Sequence, residues 1–413
     1  MSHRGLISTV NLTSGLVKDL VMGLPSVDFG SHPQGQIAFG SDGRVYFTTG
    51  TSTNSGVVDK SDLAFGWLKL QPQMYDIPGQ NVTLTGQNFV SKNLLDPTDK
   101  SNKTTGAFVP FGTPTKSRQV IKGQKICNGC LFSIKPDGTD LRLHAWGLRS
   151  PFGMAFDSKD SKLFISNDGA DDKGIRPITN DTDNIYSFDI KSSGSNGTTT
   201  NGIKWYGWPD FYGNGEPVTD PKFGTSKNLT QPLQFLIQNH PSLTKPFTTL
   251  EVGPGVTQVA FVDNKSFVGG EKPKIFLGEF GIAIPINHLV PPSLGKVGAG
   301  LPGQKVIAID SQPGNSSDFI SLKKPNLNFR PVGVKFNEKE GALYIIDFGK
   351  AEIRSILPNG TPLPIPVVWP YANSGVVWKV TKTGTGTPPP PTGAPTTGAT
   401  TTTKSPTGIP GVP

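Results

Sequence analysis

One histidine, His32, stands just ahead of an apolar stretch that a tight turn folds back, in LPSVDFGSHPQGQIAFGSDGRVYFTTG (24–50). An imidazole titrates near neutrality, so a histidine fixed at a strand entrance suits the removal of a proton from a hydroxyl. Left on a surface loop, the same residue does no chemistry. A second stretch, WGLRSPFGMAFDSKDSKLFISNDGADDKG (146–174), repeats the pattern with Arg149 where the first has its histidine. Its acidic turn, with Asp168, Asp171 and Asp172, is rich enough in hard oxygen for a calcium site, and it also offers Asp168 or Asp171 as an ion-pair partner for Arg149. Asp171, Asp172 and Asp183 are the acids that a metal-dependent hydrolase would use, but no nucleophile elbow and no HExxH accompanies them. The only cysteines, Cys127 and Cys130, form CNGC, which fits a short disulfide, two plain thiols, a redox pair or half a metal site. No second CxxC completes a zinc site, and Leu131 stands where haem attachment requires histidine.

The elements that position these groups are strands. Of 413 residues only 17% are charged, whereas 50 are glycine and 38 proline, a composition of short strands and many turns. The net charge of +8 is spread without a basic run or basic helix, which argues against nucleic acid as a partner. No apolar stretch approaches the roughly 20 residues of a membrane helix, and residues 1–10 lack the apolar core of a signal peptide. N-glycosylation triplets begin at Asn11, Asn81, Asn102, Asn180, Asn196, Asn228, Asn264, Asn315 and Asn359, and residues 381–413 form a Thr/Pro/Gly-rich tail with almost nothing to bury. Both point to an extracellular or cell-surface location. The tail is expected to be disordered.

Four apolar hairpins recur, over 35–50, 153–169, 255–281 and 333–349, each with period-two alternation. More polar hairpins recur over 5–24 and 129–148, and 375–384 resembles the first strand of another. Inner hairpin followed by outer hairpin makes a four-stranded antiparallel blade, and repeated blades make an all-β propeller over residues 1–380. The Gly-, Pro- and Asn-rich segments 51–125 and 192–250 are then insertions on one face. Because the chain opens on an outer hairpin, the first blade is expected to be incomplete, with any export signal upstream.

The pieces LPS…HPQGQIAFGSDGRVYFTTG, GLRSPFGMAFD, SNDGADDKG with DNIYSF, and KWYGWPDF (204–211) together resemble the soluble quinoprotein glucose dehydrogenases and the related sorbosone and aldose sugar dehydrogenases. The likeness covers most of residues 5–381. It implies a six-bladed propeller that oxidises an aldose at its anomeric carbon, passing hydride to pyrroloquinoline quinone (PQQ) held with calcium near the propeller axis. In that pattern His32 takes the hydroxyl proton, and Arg149 reaches the quinone carbonyl to stabilise developing negative charge. Ser150 takes the place of an asparagine beside the cofactor, and the carbonyls of Gly169 and Ala170 hold calcium. Arg330 matches the second arginine of a cofactor clamp, Asn328 stands in place of the first, and Glu279 sits near where a lysine is expected, so it would repel a tricarboxylated quinone. The electron acceptor beyond the quinone stays unassigned. A non-catalytic extracellular propeller that binds glycans or proteins is the competing reading, with Trp205 and Tyr206 either stacked on sugar rings or buried between blades.

Overall fold

The computed structural model describes residues 5–25, 32, 35–63, 67–159, 161–190, 202–224, 232–281, 302–311, 314–321, 329–349, 351–356 and 362–382. Among them the chain is nearly all β. Its α-helices are single turns, Trp67–Leu70 and Lys265–Val268.

Every apolar hairpin expected from the sequence is present, and each opens a sheet. The first sheet runs Ala38–Phe39, Val45–Thr49, Cys130–Ile134, Arg142–Trp146, with Lys204–Trp205 added in parallel at its edge. The inner and outer hairpins therefore join although some eighty residues separate them, because Val45–Thr49 pairs antiparallel with Cys130–Ile134 from Val45↔Ile134 to Thr49↔Cys130. The second sheet orders Ser150–Phe156, Lys162–Asp168, Asn184–Asp189 and Thr248–Thr249, and the third Val256–Val262, Lys274–Glu279, Lys305–Asp310 and Ser316–Ser321. A fourth holds Pro331–Asn337, Ala342–Asp347 and Val376–Thr381, so the segment after 375 is its third strand. The hairpin Gly5–Val10/Val17–Leu24 forms a two-stranded sheet of its own, as does Ala351–Ile356/Pro362–Pro370. The described residues thus contain four multi-stranded sheets of the repeating kind rather than six blades. Residues 383–413, most of the expected tail, lie outside the described residues.

Small side chains decide how closely the sheets approach. A hydroxyl from one sheet reaches a carbonyl on the entry strand of the next: Thr48 Oγ1 donates to the Pro151 carbonyl at 3.4 Å, Ser166 Oγ to that of Thr257 at 2.6 Å, and Thr257 Oγ1 to that of Pro331 at 2.9 Å. These contacts seat entry strands side by side and place their first residues at a common end. Gly153 permits one such approach, since a Cβ there would lie 2.6 Å from both Gln258 Cα and the Thr257 carbonyl oxygen. Both obstacles are backbone, so Gly153→Ala is expected to lower stability by about 1–3 kcal/mol, read as a lower urea midpoint at unchanged slope.

The two insertions are more than loops. Val57, Leu84 and Phe108 from the first pack with Trp205, Tyr212 and Ile237 from the second, and both pack on Phe47, Phe132 and Trp146 of the first sheet. The backbone joins them too, with Thr85 N donating to Leu236 O at 2.9 Å and Gln238 N to Thr83 O at 2.7 Å. At the centre of this layer, fully buried Arg176 and Asp210 pair at 3.0 Å. Cys127 and Cys130 are joined by a disulfide and are wholly buried, so the CNGC motif is neither two plain thiols nor half a metal site in this structure.

Candidate functional site

His32 and Arg149 meet at the strand entrances, joined by the first residues after the Val45–Thr49 strand. His32 is 3% exposed, and its Nδ1 lies 3.0 Å from the Thr51 carbonyl oxygen and 3.1 Å from Thr51 Oγ1. A carbonyl oxygen only accepts, so Nδ1 carries the proton and Nε2 keeps its lone pair. Burial, reinforced by the positive charges of Arg149 and Lys173, holds the imidazole well below its ordinary pKa, and it is therefore neutral at pH 7. Gly50 is needed for this seat, because a Cβ there would approach the His32 carbonyl oxygen to 2.4 Å.

Thr51 N in turn donates to the Arg149 carbonyl at 2.8 Å. The Arg149 guanidinium, 4% exposed, is occupied by its own chain: Nε donates to Asn54 O at 3.3 Å, Nη2 to Asn54 Oδ1 and Asp171 Oδ2 at 2.7 Å each, and Nη1 to the Gly169 carbonyl. Of the two acids open to it from sequence, Arg149 takes Asp171. Partial desolvation opposes ionisation of that carboxyl, whose side chain remains 55% exposed, but Lys173 at 2.9 Å and Arg149 outweigh it and hold Asp171 below the usual carboxylate range.

Ser150 and Ala170 lie beside this pair, turned inward. Ser150 Oγ donates to Asp168 Oδ2 at 3.3 Å, and Ala170 N donates to Asp181 Oδ2 at 2.5 Å. Asp183 is buried and accepts from Gly169 N at 2.8 Å and Val256 N at 3.1 Å, which ties the 168–171 turn to the first strand of the third sheet. Arg330 stands at the equivalent entrance of the fourth sheet, 1% exposed, its guanidinium 4.7 Å over the Phe280 ring and Nη1 donating to the Phe280 carbonyl at 3.3 Å. The backbone contacts match: Arg149 N donates to Asn167 Oδ1 and Arg330 N to Asp347 Oδ1, each at 2.9 Å. Asn328 lies outside the described residues. Trp205 and Tyr206 are 1% and 2% exposed and belong to the core, so the idea that they stack on sugars is withdrawn.

Sequence reasoning missed Thr51, Asn54, Asp76 and Asn128, which hold the site together. Asn54 is the residue that grips Arg149, and its only signal was the polar run TSTNSG after a strand. Asn128, inside the disulfide turn, donates to Gly50 O at 3.2 Å and Ser52 Oγ at 3.1 Å and accepts from Ile77 N at 3.0 Å.

These residues do not fit PQQ held with calcium. Four of the five N–H groups of the arginine meant for the quinone go to protein acceptors, and the Gly169 carbonyl meant for calcium already receives Arg149, whose charge opposes a cation there. Asp168 Oδ1 and Glu279 Oε2 are buried without a hydrogen-bond partner, and Glu279 offers no positive charge where the resemblance expects a lysine to hold the quinone. Among the described residues no cluster of three or more His, Cys, Asp or Glu has metal-binding geometry.

Buried acids also set the pH response. Burial pushes Glu279 up to about 8 although Lys305 lies 3.7 Å away, Asp76 and Asp181 up to about 7, and Asp183 up to about 6. A carboxyl whose pKa is raised by folding binds its proton more tightly folded than unfolded, so its contribution to stability falls as pH rises from the unfolded value to the folded one. The two buried histidines act the other way: burial lowers His32 and brings His144 to about 4, so they weaken the fold only below pH 6.5. Between pH 6.5 and 8 the acids act alone, and Glu279 by itself accounts for roughly 2 kcal/mol across that interval. The melting temperature is therefore expected to fall from pH 6.5 to 8. A constant or rising value would contradict the assigned burial of these acids.

No protein-family model matches the chain, and no curated protein matches it in sequence. Solved structures that resemble it include the soluble aldose sugar dehydrogenase of Escherichia coli in its apo form, at 13% identity and a TM-score of 0.43, covering 83% of this chain and 70% of that one. A Carbohydrate-Active Enzymes Family AA12 protein of Trichoderma reesei is similar at 13% identity and a TM-score of 0.44, covering 82% of this chain and 72% of that one. A glucose dehydrogenase gives 13% identity, a TM-score of 0.44, and coverage of 83% and 70%.

Proposed function

We propose that the protein is an exported sugar dehydrogenase-like oxidoreductase on a six-bladed propeller, in which His32 removes the anomeric hydroxyl proton of an aldose as hydride leaves the same carbon. The observation that carries this reading is the proton arrangement on His32: Nδ1–H is committed to Thr51, the ring is neutral, and Nε2 is left to accept. The aldose becomes a lactone, the proton goes to Nε2, and the hydride goes to a two-electron acceptor. The resemblance makes that acceptor PQQ with calcium. Arg149 in this reading supplies fixed positive charge beside the imidazole and orders Asn54 and the 168–171 turn. Export is supported by the exposure of the acceptor asparagines Asn11, Asn81, Asn102, Asn180 and Asn315.

One observation favours a second reading. An arginine with four of its five N–H groups engaged by its own chain has little left to offer a cofactor, which suits a non-catalytic extracellular propeller that binds glycans or proteins. Titrating the calcium-loaded protein with PQQ, while following its absorbance and the reduction of a redox dye by a panel of aldoses, separates the two. Sugar-dependent dye reduction supports the dehydrogenase. Silence with every aldose, together with retention on a glycan array, transfers the assignment to the binding protein.

A further inference from the structure

We propose that Asp76 is the positioning residue of this site, setting through Ser52, Thr53 and Thr51 which nitrogen of His32 carries the proton. This deepens the reading of His32 as a proton acceptor and rests on it only for its consequence in turnover.

The chain of contacts has one direction. Asp76 is 1% exposed and accepts from Ser52 N and Thr53 Oγ1, each at 2.6 Å. Thr53 Oγ1 also accepts from Gly56 N at 2.8 Å, and while Asp76 is ionised the hydroxyl's single hydrogen goes to that carboxylate, which can only accept. With residues 52 and 53 fixed, the Thr53 carbonyl takes the Thr51 hydroxyl hydrogen at 2.7 Å. Thr51 Oγ1 then has only lone pairs to turn toward His32, and it lies 3.1 Å from Nδ1, beside the Thr51 carbonyl at 3.0 Å. Every acceptor around Nδ1 demands a proton on that nitrogen. A buried carboxylate is costly to keep, and among the described residues Asp76 has no cationic partner to offset the cost. Its use is local: it freezes the polarity of three consecutive residues, one of which seats the imidazole. The same segment carries Asn54, so the clamp also sets where Arg149 is held.

The test is nitrogen-15 NMR of the imidazoles in the full-length protein, with His32 assigned among the five histidines by its loss in His32→Gln. The wild-type protein should show one neutral tautomer at His32, with hydrogen on Nδ1. Asp76→Asn turns an amide donor toward Thr53 Oγ1 and so releases the anchor of the 51–53 segment; with the Thr51 carbonyl and hydroxyl no longer held against Nδ1, a mixture of His32 tautomers and a shifted titration are expected. Thr53→Val, nearly isosteric, cuts the same link should Asp76→Asn fail to fold, while Thr53→Ser should restore the wild-type spectrum. Where aldose turnover is present, kcat should fall roughly 10- to 100-fold with KM little changed, the size seen when an outer partner that orients an imidazole is removed. A moved tautomer in a protein without sugar turnover upholds the role of Asp76 and removes the dehydrogenase. An unchanged tautomer and titration at His32 in both Asp76→Asn and Thr53→Val overturns the proposal whatever the turnover.

Discussion

His32→Ala is expected to lower aldose-dependent dye reduction by about 10²- to 10⁴-fold, the usual contribution of a positioned general base. Three properties of one ring lead to this loss. Its Nδ1 is committed as a donor to Thr51, its burial beside Arg149 and Lys173 keeps it unprotonated, and the surrounding chain leaves Nε2 as the basic end. Removing the ring removes the base and leaves the sheets intact, since His32 precedes the first strand of its sheet and belongs to none of the apolar clusters. The variant should therefore retain the wild-type far-ultraviolet circular dichroism while losing turnover. Because the buried ring is neutral, activity should also persist well below pH 6.5, in contrast to an enzyme whose histidine titrates at its ordinary value. Turnover at the wild-type level in His32→Ala would remove this residue from the chemistry altogether.

Asp210→Ala is expected to cost about 3–5 kcal/mol of stability, because it strands a buried guanidinium. Arg176 and Asp210 are each 0% exposed and pair at 3.0 Å. Asp210 also accepts from Leu236 N at 2.9 Å, Ile237 N at 2.8 Å and His240 Nε2 at 3.0 Å, while Arg176 donates to the carbonyls of Ser55, Pro209 and Gln234. This network ties together residues 55, 176, 210 and 236, which belong to both insertions and to the turn after the Lys162–Asp168 strand. With the carboxylate gone, two backbone amides and His240 Nε2 lose their acceptor and the Arg176 guanidinium loses its only carboxylate partner among the described residues, at a position that is 0% exposed. A loss of this size is a large fraction of the 5–15 kcal/mol that holds a typical domain together. Urea unfolding gives the answer directly, and a change under 1 kcal/mol would mean that the network forms without supporting the fold. Asn54, which holds Arg149, lies one residue before Ser55, so the same variant should loosen the candidate site before global unfolding.

Strand content was legible because alternation is a local property. The hairpins at 35–50, 153–169, 255–281 and 333–349 have a buried face that appears in the sequence as every second residue, whatever the rest of the chain does. Insertions 51–125 and 192–250 were legible as insertions and not as a core. Their apolar residues are scattered among Gly, Pro and Asn, and they become a cluster only when the two segments, separated by residues 126–191, close on each other. The aromatic run KWYGWPDF shows the same limit, since Trp205 and Tyr206 could stack on a ligand or fill a core until their neighbours were known.

His32 and Arg149 were legible as a pair because both stand at the head of the same repeated motif, and residues at equivalent positions of neighbouring sheets are brought to one end. The fate of Arg149 was not. Whether a guanidinium faces a cofactor or is consumed by Asn54, Gly169 and Asp171 depends on a loop from another sheet, and loop placement leaves no periodic trace. Asp76 gave no signal at all, an acid in an irregular segment whose role exists only through Ser52 and Thr53. By itself, then, the sequence determined the strands, their pairing into hairpins and the residue types at the sheet entrances, since these follow from the chemistry of adjacent residues. Tertiary structure alone decided which polar groups are satisfied by the protein and which remain for a ligand, because hydrogen bonds across sheets depend on distances that no local pattern encodes.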